Sequence, residues 1–213
     1  MFERVNRIFC LSMGNHLESC KEDVRKMEKI MKSLKIPCTS IYNCNPQTEI
    51  QAFLANRALG TNDLLIIHYS GHGKVVGRKI GEKVEMISTW LCDDEKTNNY
   101  SNDVDYILSK LNCRMILISD SCHSGKFGDY YVGKTPYIFI GSSSIVGQSN
   151  EYSFPNSSDK LKSGALVNLF EYILSKIGKD IKKLTFPLLT EYTQQFYKEH
   201  SIKVKPILKS KNL

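Results

Sequence analysis

Short apolar runs alternate along the chain with stretches where apolar residues recur every three or four positions. Residues 5–13 (VNRIFCLSM) predict a first strand, broken by Gly14 and Asn15. Residues 18–34 place Val24, Met27, Ile30, Met31 and Leu34 on one helical face. Residues 36–42 predict a second strand. Asn45 and Pro46 then open a helix over about 48–59, with Gly60 as its stop. Residues 64–69 (LLIIHY) give the pattern of a third strand, buried on both faces of a parallel sheet. The rhythm changes over 74–91, where Gly77 and Gly81 separate β-rich pieces and predict a hairpin carrying Trp90. A helix follows over 103–111, with Ser101 or Asn102 as its cap. Residues 115–118 and 136–141 predict two more strands, 164–177 and 184–200 two helices, and 203–208 a last strand. Residues 142–163, rich in Ser, Asn and Gly, read as a long mobile loop that walls a substrate cleft. This order predicts an α/β fold with a mostly parallel central sheet of about six strands and helices on both faces.

Composition narrows the class. With 213 residues, 41% hydrophobic and 24% charged, the chain is expected to form a single globular domain. No apolar run approaches the roughly 18 residues of a membrane-spanning helix, and the first residues lack a signal-peptide core, so no membrane partner is expected. Seven cysteines, with no Cys-x-x-Cys pair, predict reduced thiols in a cytoplasmic protein. The net charge of +7 includes a basic cluster of Lys203, Lys205, Lys209 and Lys211. Aromatic residues are not interleaved with it, so it reads as solvated surface and not as a nucleic-acid site.

Two strands end in reactive side chains. The run at 115–118 gives way to Ser119-Asp120-Ser121-Cys122-His123-Ser124-Gly125, and the run at 64–69 to Ser70-Gly71-His72-Gly73. Ligands and chemistry gather at the carboxyl ends of strands in an open α/β sheet. Two parallel strands would bring His72 and Cys122, 50 residues apart, to one edge. A thiol attacks as the thiolate, and an imidazole can hold the proton and later protonate a leaving amine. Glycines flanking His72 permit close backbone approach, and the Gly73 N–H can meet a developing oxyanion.

The sequences His-Tyr-Ser-Gly-His-Gly (68–73) and Asp-Ser-Cys-His-Ser-Gly (120–125) resemble the two active-site motifs of the metacaspases, within the caspase-fold cysteine peptidases. The Gln-Ala-Cys motif of animal caspases is absent. The resemblance weakens through residues 17–24, where Glu22 replaces a family asparagine, and through Gly164 and residues 204–206. It implies a compact caspase-like fold without a prodomain. The connection over 126–135 is too short for a removable linker between subunits. It also implies Cys122 as nucleophile and His72 as general acid/base. The backbone N–H groups of Gly73 and Cys122 would form the oxyanion site. Asp23, Ser70 and Asp120 match the family's primary pocket, and two carboxylates there call for an Arg or Lys side chain.

Calcium activates many of these enzymes. Asp103 and Asp129 match members of the family's aspartate set, but Asn102 stands where a partner aspartate is expected and residues 74–84 contain none. The expectation is therefore that no cofactor is required and that calcium at Asp103 and Asp129 binds weakly if at all. His68 is expected in the core and His16 and His200 on the surface, while His123 has no assigned role. The leading expectation is a monomeric endopeptidase acting on proteins or peptides after Arg or Lys. Any clipping would fall at basic loop residues such as Lys160 or Lys162. The alternative is a catalytically idle caspase-fold scaffold that binds basic peptides. Cleavage after Asn or Asp conflicts with an acidic pocket.

Overall fold

A computed structural model of the chain describes residues 2–92, 96–149, 151–152 and 163–213. The opening units are β1 (Arg7–Gly14), α1 (Glu18–Ser33), β2 (Cys38–Tyr42), α2 (Pro46–Ala55) and β3 (Asp63–Ser70). Three strands follow, β4 (Gly73–Ile80), β5 (Lys83–Leu91) and β6 (Asn98–Tyr100), leading to α3 (Ser101–Ser109) and β7 (Arg114–Asp120). Then come β8 (Tyr137–Gly141), the short β9 (Glu151–Tyr152) and β10 (Ser163–Gly164), α4 (Ala165–Lys176), α5 (Phe186–Glu199) and β11 (Ile207–Lys211).

The central sheet has six strands in the order β11-β8-β7-β3-β1-β2, with every neighbour parallel except the antiparallel β11. Strand β3 lies in its middle and is buried along its whole length, which is why residues 64–67 are apolar without alternation. Alternate side chains feed two cores. Leu64, Ile66, Ile116 and Ile118 pack under α1 and α4 against Met27, Met31, Leu166 and Phe170. Leu65, Ile67, Met115 and Leu117 pack on the other face against Ile50 and Phe53 of α2 and Val104 and Leu108 of α3. Helices therefore cover both faces, as the pattern predicted.

The hairpin appears as β4 paired with β5, and β6 adds a third strand. Its Trp90 is fully buried and stacks between Tyr69 and Phe127, with ring centroids 4.6 and 4.4 Å away. Several boundaries differ from expectation. Asn45 caps α2 as expected, accepting a 3.3 Å bond from the Thr48 N–H, but the helix begins at Pro46 and stops at Ala55, short of Gly60. Neither Ser101 nor Asn102 caps α3; Tyr100 holds that position without a side-chain bond, Ser101 is buried, and Asn102 accepts from Arg78. The last strand is shifted from 203–208 to Ile207–Lys211, because Pro206 has no N–H to give a ladder. Of the expected loop, residues 142–149 are ordered against the sheet edge, whereas Lys160 and Lys162 lie outside the described residues. No helix among the described residues is long and apolar enough to cross a membrane.

Candidate active site

The parallel register of β3 and β7 aligns Ser70 with Asp120. His72 and Cys122 each lie two residues beyond that pair, so their 50-residue separation is the register itself carried past the strand ends. The Gly71 N–H donates to the Asp120 carbonyl and extends the ladder one step. At Gly73 the backbones touch: a Cβ there would lie 2.1 Å from the Cys122 carbonyl oxygen. Only glycine allows this approach. The Leu91 N–H donates to the His72 carbonyl, making Gly73 and Trp90 a non-hydrogen-bonded pair. The Gly73 N–H is thereby left outside the hairpin ladder. The Tyr69 hydroxyl, 3.0 Å from the carbonyls of both His72 and Leu91, fixes the turn from below.

The loop that carries Cys122 is held on several sides. His123 adopts a left-handed conformation with φ 57°, which re-aims the chain just after Cys122. The Ser88 hydroxyl of β5 donates to the His123 carbonyl and accepts from the Lys126 N–H at 3.0 Å. Trp90 Nε1 donates to Ser119 Oγ at 2.8 Å, and Ser119 Oγ is 3.1 Å from Ser121 Oγ. Segment 145–149 lies over the thiol. His123 bonds through Nδ1 to the Ile145 carbonyl at 2.9 Å, and the Ser149 N–H points at Cys122 Sγ, 3.2 Å away. Cys122 is half-buried. His16, exposed as expected, brings its ring to 6.2 Å from that of His72.

Asp23, Ser70 and Asp120, the residues expected to form the pocket, come together beneath this edge. Ser70 Oγ donates to Asp23 Oδ2 at 2.6 Å, and the Gly164 N–H donates to Asp23 Oδ1 at 2.9 Å. Asp120 accepts from the Leu166 N–H at 2.9 Å and from Ser149 Oγ at 3.2 Å. Both carboxylates converge on Gly164, where a Cβ would meet Asp120 Oδ2 at 2.0 Å and Asp23 Oδ2 at 2.8 Å. Burial lifts Asp23 well above the ordinary carboxylate range and the neighbouring Asp120 adds to it; burial raises Asp120 as well. Cys20 lies among them as a thiol pushed up to about 12 by burial, which makes it inert. Ser149 and the Gly164 and Leu166 N–H groups were not anticipated. Backbone donors leave no side-chain signature, although a glycine opening a helix was a signal for Gly164.

Asp103 and Asp129 are occupied differently. Asp103 pairs with Arg78 at 2.8 Å, and Asp129 pairs with Lys209 and Lys126. No group of three or more His, Cys, Asp or Glu side chains suited to a metal occurs among the described residues. His68 is a core residue, its Nδ1 2.8 Å from Ser12 Oγ and its pKa lowered to about 3 by burial. His200 is half-buried against Phe196, with ring centroids 4.3 Å apart, and not simply on the surface.

Residues 5–210 match the caspase domain family. Metacaspase-1 of Debaryomyces hansenii is 30% identical over 130 residues, covering 58% of this chain and 27% of that protein. Metacaspase-4 of Arabidopsis thaliana is 24% identical over 186 residues, covering 80% of this chain and 42% of that one. The chain thus spans less than half the length of either relative. The crystal structure of Caspase-1 from Spodoptera frugiperda shares the fold with a TM-score of 0.64 at 14% identity, covering 95% of this chain and 87% of its own. Both of these curated relatives are metacaspases, and with the family match running across almost the whole chain, this protein belongs to the caspase-domain family.

Proposed function

We propose that the chain is a cysteine endopeptidase that cleaves proteins or peptides after Arg or Lys, with Cys122 as nucleophile and His72 as general acid/base. The observation that carries this reading is the β3–β7 register, which keeps residues 72 and 122 in step and seats Gly73 on the Cys122 carbonyl. In the reaction, His72 takes the thiol proton and the thiolate attacks the scissile carbonyl carbon. The negative oxygen is met by the N–H groups of Gly73 and Cys122. His72 then protonates the departing amine, leaving a thioester. Water, deprotonated by the same imidazole, releases the acid product and restores the thiol.

The pocket of Asp23, Ser70 and Asp120 supplies the specificity. Two buried carboxylates repel each other, and a guanidinium or ammonium entering between them relieves that repulsion through charge-assisted hydrogen bonds. Segment 145–149 has to swing away from Cys122 and Asp120 for a substrate to enter, since Ser149 bonds to both. We propose a monomer with no required cofactor.

The test uses short peptide amides ending in Arg, Lys, Asp and Asn. Arg and Lys peptides should be hydrolysed. Cys122→Ala and His72→Ala should each remove nearly all of that activity, a loss of roughly a million-fold in comparable knockouts. Full activity in Cys122→Ala, with the fold intact, rejects the reading, and no hydrolysis of any of these peptides by the wild type leaves a non-catalytic peptide-binding role.

A further inference from the structure

The segment that follows the nucleophile is gripped by the chain's own cations. β11 runs antiparallel to β8, and its register sets Lys209 opposite Phe139 and Lys211 opposite Tyr137. These are the positions whose side chains face the core containing Trp90, Phe127 and Tyr131. Both lysines therefore reach over the same face on which residues 125–135 lie. Lys209 Nζ donates to the Gly125 carbonyl, to the Phe127 carbonyl at 3.1 Å and to Asp129 Oδ1. Lys211 Nζ donates to the carbonyls of Asp129 at 3.1 Å and Tyr131 at 2.7 Å. Asn212 Nδ2 donates to Gly133 and Thr135. Every second carbonyl from 125 to 135 is taken by a side chain at or just beyond this strand.

An ammonium has three protons, and those of Lys209 are all directed at oxygen. Two carbonyls and a carboxylate are also the donor set of a hard divalent cation. The second carboxylate in question is likewise neutralised. Arg78 Nη1 donates to Asp103 Oδ2 at 2.8 Å and Asn102 Oδ1 at 2.9 Å, with its guanidinium carbon 4.2 Å from the Tyr100 ring centroid. A calcium ion needs six to eight oxygens. It could collect them here only by expelling fixed positive charges of like sign, so these residues do not fit calcium.

We infer that Lys209 serves as a built-in cation in place of a divalent metal, and that it is a positioning residue for the Cys122 loop. Gly125 lies three residues past Cys122, and its carbonyl is one of the three oxygens that the ammonium holds. Arg78 plays the corresponding part at Asp103. The inference draws on the peptidase reading only for its effect on turnover.

The experiment uses the full chain as wild type, Lys209→Met, Lys209→Arg, Asp129→Asn and, as a control, Lys205→Met, whose parent side chain is exposed. Calcium chloride alone is titrated calorimetrically into the wild type, and thermal unfolding is followed with and without it. Separately, the iodoacetamide alkylation rate at Cys122 is measured by mass spectrometry, together with kcat and KM on an Arg peptide amide. No calcium binding below millimolar concentration is expected in the wild type. Lys209→Met should change the Cys122 alkylation rate and lower kcat by at least tenfold, with KM moving little. Lys209→Arg should keep most of both, Asp129→Asn should give a smaller loss of the same kind, and Lys205→Met should match the wild type. Micromolar calcium binding with a rise in Tm overturns the inference. So does an alkylation rate within twofold of wild type in both Lys209→Met and Asp129→Asn. Asp129→Asn decides the matter if Lys209→Met fails to fold. Absence of turnover in the wild type would count against the peptidase reading alone, because the titration and the alkylation need no substrate.

Discussion

Asp120 ends its strand with its carboxylate turned to the face that also holds Asp23, and both are buried to within a few per cent. Removing one charge at constant shape isolates its part. Asp120→Asn should lower kcat/KM for Arg and Lys peptides by roughly 2–5 kcal/mol, the cost of leaving a buried charge unpaired. Asp23→Asn should act in the same direction. Neither should change Cys122 alkylation by much. Efficient cleavage after Asp by the wild type would remove the pocket assignment and leave the dyad standing. The raised carboxyl pKa values add a pH signature. A cationic guest needs the ionised pair, so kcat/KM for basic peptides should climb with pH, through a range above that of ordinary carboxylates.

Helix α3 carries a further buried acid, Asp105, which accepts from the N–H groups of Gly128 and Tyr130 and so links the helix to the segment after Cys122. Burial raises its pKa from 3.8 to about 7. Between those values the folded chain binds the proton more tightly than the unfolded chain, so this group lowers stability as pH rises from about 4 to about 7 and adds no slope above. Asp105→Asn should abolish that component, which chemical denaturation at a series of pH values would reveal; an unchanged slope would contradict it. On β5, Trp90→Ala should cost about 3–5 kcal/mol, since it empties the stack between Tyr69 and Phe127. Hairpins and helices of this sort were largely readable from periodicity, because burial selects apolar residues with the period of each element. What escaped was set by backbone or by distant partners. Ser101 has the chemistry of a cap but is drawn into the core, and Pro206 displaces β11 by withholding an N–H. In the candidate site, Cys122, His72, Ser70 and Asp120 stood out because side chains at strand ends announce themselves. Ser149, the Gly164 N–H and the lysines of β11 did not, since a charge run looks the same whether it faces water or a row of carbonyls.

Across the whole molecule, the sheet converts sequence separation into contact. Residues 126–135 are not a dispensable connection: Lys209, Lys211 and Asn212 bind their carbonyls and so tie the segment after β7 to the antiparallel edge. The protein should accordingly be active as one uncut chain. Intact-mass measurement on a freshly active sample should show no break within 126–135, and activity confined to material cut there would contradict the prediction. Sedimentation of the same sample should report a monomer.

The β4–β5 hairpin turns at Gly81, which has φ 61° and nothing within 4 Å of where a Cβ would stand. This turn is the far end of a hairpin whose near end holds His72 and Gly73. A bond broken there divides the molecule into one piece bearing the imidazole and another bearing the thiol. Two ladders still join the pieces, β3 with β7 and β4 with β5. The candidate active site is thus a property of neighbouring strands and not of chain continuity, and two separately made fragments meeting at residues 81 and 82 should combine into a working noncovalent pair.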